Sequence, residues 1–248
     1  MEKTEQKLHI LKDGEKFCFA DEQGNIVIPC TWKEVGDFQE GLAPVCNDED
    51  KWGYIDMEGN IVIPCEWRDA KLFGSGFAEV FSFTDNDFSY YIDTKGDVIC
   101  SSVFSYQVVE KILESIKLAE QSKYKEAIEM IFRYAAQDIE DTSPLNLIIT
   151  YSLKSGQYED MEKLLNSFRP LDIFYNYTTK LRVGDVYRNV LKDYVKAYLW
   201  YESAEESQDD VIRSEAYSKK KELLNEHPEI KEDSRVDFDN VTYEDDFD

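Results

Sequence analysis

Apolar residues follow two different periods along this chain, and the change from one to the other divides it. Up to about residue 102, β-branched and aromatic residues come in short runs separated by turn residues, as in "WGYIDMEGNIVIP" at 52–64. Two such runs around an Asp/Gly/Asn turn predict a β-hairpin, the glycine supplying the positive φ that the turn needs. Pro29 and Pro64 should end the second strand of each hairpin, because proline brings no N–H to the ladder. From about Phe104 the apolar positions recur three and four residues apart, as at Val109, Ile112, Leu113, Ile116 and Ala119, which predicts amphipathic helices. The expected fold is therefore α+β in two segregated domains, all-β over 1–102 and all-α over 103–227, with a tail over 228–248.

The first part is also internally repeated. "GNIVIPCTW" at 24–32 returns as "GNIVIPCEW" at 59–67, and the match extends from Asp21 on Asp56 to Phe38 on Phe73, Gly41 on Gly76, Ala43 on Ala78 and Val45 on Val80. A third, decayed copy is visible in "YYIDTKGDVIC", with Ile92, Asp93 and Gly96 in the places of Ile55, Asp56 and Gly59. A fixed period marks a duplicated supersecondary unit. Each unit holds about three short strands, too few to bury an apolar face alone, so the copies are expected to stack.

The second copy, "KWGYIDMEGNIVIP" followed by "EW", an aromatic and "GFAEV", resembles the WG repeat found widely in bacterial proteins. The first copy departs from it, with Phe17-Cys18 where Trp-Gly would stand, and the third has Ser89-Tyr90 there. The resemblance covers roughly residues 10–100; it implies repeat-built β structure that displays interaction surfaces and no common chemistry.

The helical part repeats as well. "SKYKEAIEMI", "GQYEDMEKLL" and "KDYVKAYLWY" superpose at Tyr124, Tyr158 and Tyr194, with Ala127, Met161 and Ala197 three residues later. This resembles the tetratricopeptide repeat, in which the tyrosine would pack between paired helices and the later residue would let them approach. The last copy, "VGDVYRNVLKDYVKAYLWYESAEES", is similar to the Sel-one-like variant, but carries Arg188-Asn189 where a glycine-containing loop is usual. Arrays of this kind scaffold or bind other proteins. "DDVIRSEAYSKKKELLNEH" reads as a capping helix before Pro228.

Charge narrows the partners. With 28 Lys+Arg against 52 Asp+Glu, the formal net charge is −24, so nucleic-acid backbones and anionic membranes would be repelled and a basic protein favoured. No apolar run approaches the ~18 residues of a membrane span, and "MEKTEQKLHILK" has no apolar core of a secretion signal. A cytoplasmic setting is expected, and with it reduced thiols. The five cysteines, Cys18, Cys30, Cys46, Cys65 and Cys100, include no C-x-x-C pair. Cys30 and Cys65 occupy equivalent places and are expected to be alike, reduced and mostly buried.

Catalytic and metal chemistry find little support. His9 and His227 are the two histidines, which leaves His9 as the one candidate base for a thiol nucleophile. No zinc-type cluster occurs, "DTKGD" and "DNDF" lack the spacing of a calcium loop, and "FGSGF" at 73–77 has no helix after it. Trp32, Trp52, Trp67 and Trp200 all sit at repeat positions that suit core packing. No cofactor or metal is expected. The acidic tail, with Phe238, Tyr243 and Phe247 among its carboxylates, is expected to be disordered, either as a solubilising segment or as a short linear motif.

These features describe a non-catalytic adaptor or scaffold that binds another protein along the inner face of its helices, with Asn146 and Thr150 of one helix and Asp185 and Arg188 of the next pointing into the groove. A second reading is an immunity or inhibitor protein that neutralises a basic toxin or effector. A weaker third is a hydrolase using carboxylates, although no spacing singles out a pair.

Overall fold

The computed structural model describes residues 7–84, 89–137, 141–168, 173 and 176–230. The chain forms two compact units, residues 1–113 and 114–248, all-β strands followed by all-α helices.

In the first unit the strands are β1 (His9–Asp13), β2 (Lys16–Ala20), β3 (Ile26–Trp32), β4 (Glu34–Val35), β5 (Ala43–Cys46), β6 (Trp52–Ile55), β7 (Ile61–Trp67), β8 (Asp69–Ala70), β9 (Phe77–Phe81), β10 (Ser89–Asp93) and β11 (Val98–Ser101). They build three antiparallel sheets, ordered β1-β2-β3, β4-β5-β6-β7 and β11-β10-β9-β8. The second and third sheets each join the closing strands of one sequence repeat to the opening hairpin of the next. After Trp32 and again after Trp67 the chain bends away, and the short β4 and β8 pair with the first strand of the following sheet. One strand path thus serves two sheets, which links successive repeats by hydrogen bonds.

The two better copies are alike in detail, and in both the second strand does not end at its proline but runs on past it, β3 through Pro29 and β7 through Pro64. Phe17 pairs with Trp32, Phe19 with Ile28 and Ala20 with Ile26, as Trp52 pairs with Trp67, Tyr54 with Ile63 and Ile55 with Ile61, with register shifts at the same places. At each hairpin tip an aspartate closes the turn. Asp21 Oδ1 accepts the N–H groups of Gln23 (3.0 Å) and Asn25 (2.8 Å), Asp56 Oδ1 those of Glu58 (3.1 Å) and Asn60 (2.8 Å), and Asp93 Oδ1 those of Lys95 (2.9 Å) and Asp97 (3.0 Å). These bonds favour the ionised carboxylate: Asp21 sits below the usual range chiefly through Asn25, and Asp56 does so against the opposing effect of burial.

Stacking buries what one copy cannot. Ile28 of the first hairpin shares a core with Ile55 of the second, and Ile63 of the second shares one with Ile92 of the third. The turn glycines sit on these isoleucines. A Cβ on Gly59 would lie 3.1 Å from Ile28, and one on Gly96 would lie 3.2 Å from Ile63. Trp32 packs on the first core and Trp52 and Trp67 on the second. At the far end of the array the ring of Tyr106 meets those of Phe77 (5.2 Å) and Tyr91 (5.4 Å). Tyr106 opens helix α1 (Tyr106–Glu120), whose later residues belong to the second unit.

That unit contains α2 (Tyr124–Gln137), α3 (Ser143–Ser155), α4 (Glu159–Asn166), α5 (Tyr177–Val186), a π turn (Tyr187–Leu191), α6 (Tyr194–Ala204) and α7 (Asp210–Glu226). Ala127, Met161 and Ala197 are fully buried, as the repeat register requires. The tyrosines three residues earlier are not the wedges expected of them. They stand at or just before the helix starts, where side chains lean back toward the N-terminus. Tyr158 is 37% exposed, Tyr124 reaches Tyr151 of α3, and Tyr194 stacks on His227 beyond α7 at 3.7 Å. The space between helices is filled instead by Tyr187, Trp200 and Tyr201, all at most 2% exposed. Gly184 makes room for one of them, since a Cβ there would lie 2.6 Å from the Tyr201 ring. At Arg188-Asn189, which stand where the Sel-one-like pattern usually has a glycine loop, a π turn follows α5, and Lys192 takes the left-handed conformation (φ 59°), its N–H bonded to the Tyr187 carbonyl.

Candidate partner-binding surface

Helices α3, α5 and α7 are tied in series by polar side chains, and the four residues expected in a groove lie along these ties. Asn146 on α3 donates through Nδ2 to Thr179 Oγ1 of α5 (2.8 Å), and Thr150 donates to the Asn146 carbonyl (2.7 Å). Arg182 on α5 joins the two, donating to Asn146 Oδ1 (3.1 Å) and Thr150 Oγ1 (2.6 Å). Asp185, one turn further, accepts from the Tyr201 hydroxyl (2.7 Å) and from Lys219 Nζ of α7 (2.8 and 2.6 Å). Arg188 reaches α7 through Glu226 (2.9 Å) and Glu222 (3.4 Å). The four fall in two pairs: Asn146 and Thr150 couple α3 to α5, while Asp185 of α5 and Arg188 of the π turn reach α7.

Arg182 was not among the expected residues. Its signal was present in the spacing, because Thr179, Arg182 and Asp185 follow at three-residue intervals and share one face of α5. The two arginines of this row differ in their electrostatics. Burial works against the charge of Arg188, but Glu226 and Glu222 outweigh it and hold its pKa above the usual value. Arg182 has neutral acceptors and, among the described residues, no carboxylate within ion-pair reach, so burial alone acts and lowers its pKa. Lys180 beside it is 3% exposed, bonded to Ser203 Oγ (2.8 Å), with its pKa likewise lowered by burial. Tyr201 is pushed well above the ordinary tyrosine range by burial and then by Asp185.

Other expected features fall elsewhere. An open depression of about 410 Å³ is lined by Glu205, Asp210, Arg213, Ser214 and Tyr217. Its carboxylates are paired with cations, Asp210 with Arg213 and Glu205 with Lys220. Among the described residues no group of three or more His, Cys, Asp or Glu could hold a metal ion. "DTKGD" is the third hairpin turn, and in "FGSGF" Gly76 (φ 86°) donates its N–H to Glu40 of the preceding repeat (2.9 Å). "DNDF" at 85–88 and the tail residues Phe238, Tyr243 and Phe247 lie outside the described residues, while Ile230 at the start of the tail is buried. No described helix is long and apolar enough to cross a membrane.

The cysteines correct two expectations, that the thiols are reduced and that Cys30 and Cys65 are alike. Cys30 and Cys65 are not alike, because Cys30 is joined to Cys18 in a disulfide while Cys65 keeps a free, half-buried thiol. The reason lies across the strand pair: the residue in register with Cys18 in the second copy is Gly53, which offers no sulfur. Burial raises the thiol pKa of Cys65 and of Cys46.

Residues 19–51 and 52–81 match the family model of the WG containing repeat. The β unit carries two WG repeats. No curated protein and no solved structure gives a match. The WG pair itself has a physical basis in the second repeat. Trp52 is paired with Trp67 across the hairpin, and a Cβ on Gly53 would stand 2.5 Å from the Ile63 carbonyl oxygen and 2.8 Å from the Cys65 nitrogen. Glycine is required because the backbones touch.

Proposed function

We propose that this protein is a non-catalytic adaptor whose repeat surfaces hold another polypeptide, with the α3–α5–α7 row as the recognition face of a tetratricopeptide-like or Sel-one-like array. The observation that supports it is Arg182: in a chain of net charge −24, a half-buried guanidinium bonds neutral oxygens and, among the described residues, has no carboxylate within ion-pair reach. A guanidinium has five N–H donors in a fixed fork, and two are used here. The remainder suit carbonyl or carboxylate oxygens of an extended partner segment, beside the amide of Asn146 and the hydroxyl of Thr150.

Affinity capture with the full chain tests this. Arg182→Lys keeps the charge and removes the fork, and it should release the captured partner while the helical circular dichroism stays unchanged. Undiminished capture by Arg182→Lys and by Asn146→Ala would sink the reading. The second reading, an inhibitor of a basic protein, is favoured by the net charge and by the exposed Glu222 and Glu226. It requires an association rate that falls steeply with salt, whereas recognition centred on Arg182 selects partners that present oxygens to it.

A further inference from the structure

Among the places where the first WG repeat departs from the second is the pair of facing positions Cys18 and Cys30, equivalent to Gly53 and Cys65. Where Gly53 lies against the backbone at Cys65, Cys18 lies against Cys30 and the two are bonded. The strands come close at this point, with the Cα atoms of Cys18 and Cys30 4.0 Å apart. In the second repeat even a Cβ would collide with main-chain atoms that no rotamer can move. A covalent bond lets two sulfurs sit inside the roughly 3.5–4.0 Å at which unbonded atoms settle. Two thiols at the same place need the bulge to widen. The bond is not what sets the register, for the second repeat takes the same register without one.

We propose that Cys18–Cys30 is a reversible thiol–disulfide site, opened by a dithiol reductant, that controls how tightly the first repeat is closed. Cys30 is the sulfur under attack, because it is half-buried while Cys18 is 1% exposed. One thiolate of the dithiol bonds to Cys30 Sγ, the Cys18–Cys30 bond breaks, and Cys18 leaves as a thiolate that takes up a proton. The second thiolate then attacks the reductant's own sulfur in the mixed disulfide, closing the dithiol to a cyclic disulfide. Cys30 leaves and is protonated, so two electrons and two protons have passed to the protein. The Leu11 carbonyl oxygen, 3.6 Å from Cys18 Sγ, stands ready to accept the new S–H. Strand β1, held in its sheet by β2 alone among the described strands, is the element that loosens with it.

Two measurements on the full chain decide the matter. Alkylation in denaturant without reductant should label Cys46, Cys65 and Cys100 and spare Cys18 and Cys30; labelling of all five overturns the site. Hydrogen exchange read by mass spectrometry, with and without dithiothreitol, should then quicken over residues 9–32 by on the order of thirtyfold, and stay unchanged over 52–67. Cys18→Gly, which copies the second repeat, should stay protected in both conditions. Equal exchange in the two redox states of the unaltered chain, loss of protection in both repeats together, or a Cys18→Gly variant as open as the reduced protein would each overturn the proposal.

Discussion

Replacing Gly53 by alanine tests the account of the WG pair most directly. Gly53 is not in the left-handed region, so its backbone conformation is open to alanine and only space is in question. The added methyl would stand 2.5 Å from Ile63 O and 2.8 Å from both Pro64 C and Cys65 N, all of them main-chain atoms of β7. Relief requires moving a strand that also supplies Ile63, 1% exposed, to the second core. Overpacking of this kind costs about 1–3 kcal/mol, and backbone contacts belong at the upper end. The smaller conformational freedom of alanine in the unfolded chain returns about 0.4–1 kcal/mol. The net loss is about 2 kcal/mol. With a urea dependence of about 1–2 kcal/mol per molar for a unit of this size, the unfolding midpoint should fall by about 1–2 M. Tryptophan fluorescence is the readout, because Trp32, Trp52 and Trp67 report on the β unit and Trp200 on the helices. An unchanged midpoint would refute the claim that the glycine is there for want of room.

Three more outcomes follow from the helices and the buried tyrosines. Gly184→Ala should destabilise the helical unit by about 2 kcal/mol, since the Tyr201 ring it meets is fully buried and its hydroxyl is held by Asp185; a thermal melt followed by circular dichroism checks this. Asp185→Asn should cost about 1 kcal/mol and speed hydrogen exchange in α7, because the half-exposed Lys219 pair and the Tyr201 bond both end on that carboxylate; equal exchange in the variant would deny it that role. At high pH, Tyr91 and Tyr198 titrate only near pH 12, with burial the leading cause, and burial raises Tyr54 and Tyr201 further. In the unfolded chain these groups lose their protons near pH 10, so the folded state binds more protons between the two values and its stability falls as pH rises through that window. Tyrosinate absorbance should therefore rise in two steps, the second coinciding with unfolding; a single step near pH 10 would contradict the burial.

The array was legible because its signals are local. A glycine that needs positive φ, an aspartate two residues before the N–H it caps and a β-branched run each act within one hairpin, and the 35-residue offset then carries Ile28 and Ile63 onto equivalent cores. The phase of the sheets was not, since the bends after Trp32 and Trp67 hand each strand to the next sheet only once the neighbouring repeat is in place. The Cys18–Cys30 bond was missed for a related reason: the two residues face each other through a bulge, and no spacing rule in the sequence puts them opposite. In the helices, Asn146 and Thr150 were legible as a polar face of α3, but their coupling to Arg182 depends on how α3 meets α5. The tyrosines misled because their register marks where a helix begins, while the wedges between helices, Tyr187 and Tyr201, are set by Gly184 and the π turn.

These particulars bear on how binding would be organised. The links between α3, α5 and α7 are polar and partly solvated, whereas successive β repeats share apolar cores that exclude water in addition to their hydrogen bonds. Burial of apolar surface contributes more to rigidity than half-exposed ion pairs do, since those are worth about 0–1 kcal/mol each. The helical row can exchange its own polar partners for those of a ligand at little net cost, which is what a reversible binding face requires. Arg182 is the point where that exchange has least to break, because its present acceptors are neutral.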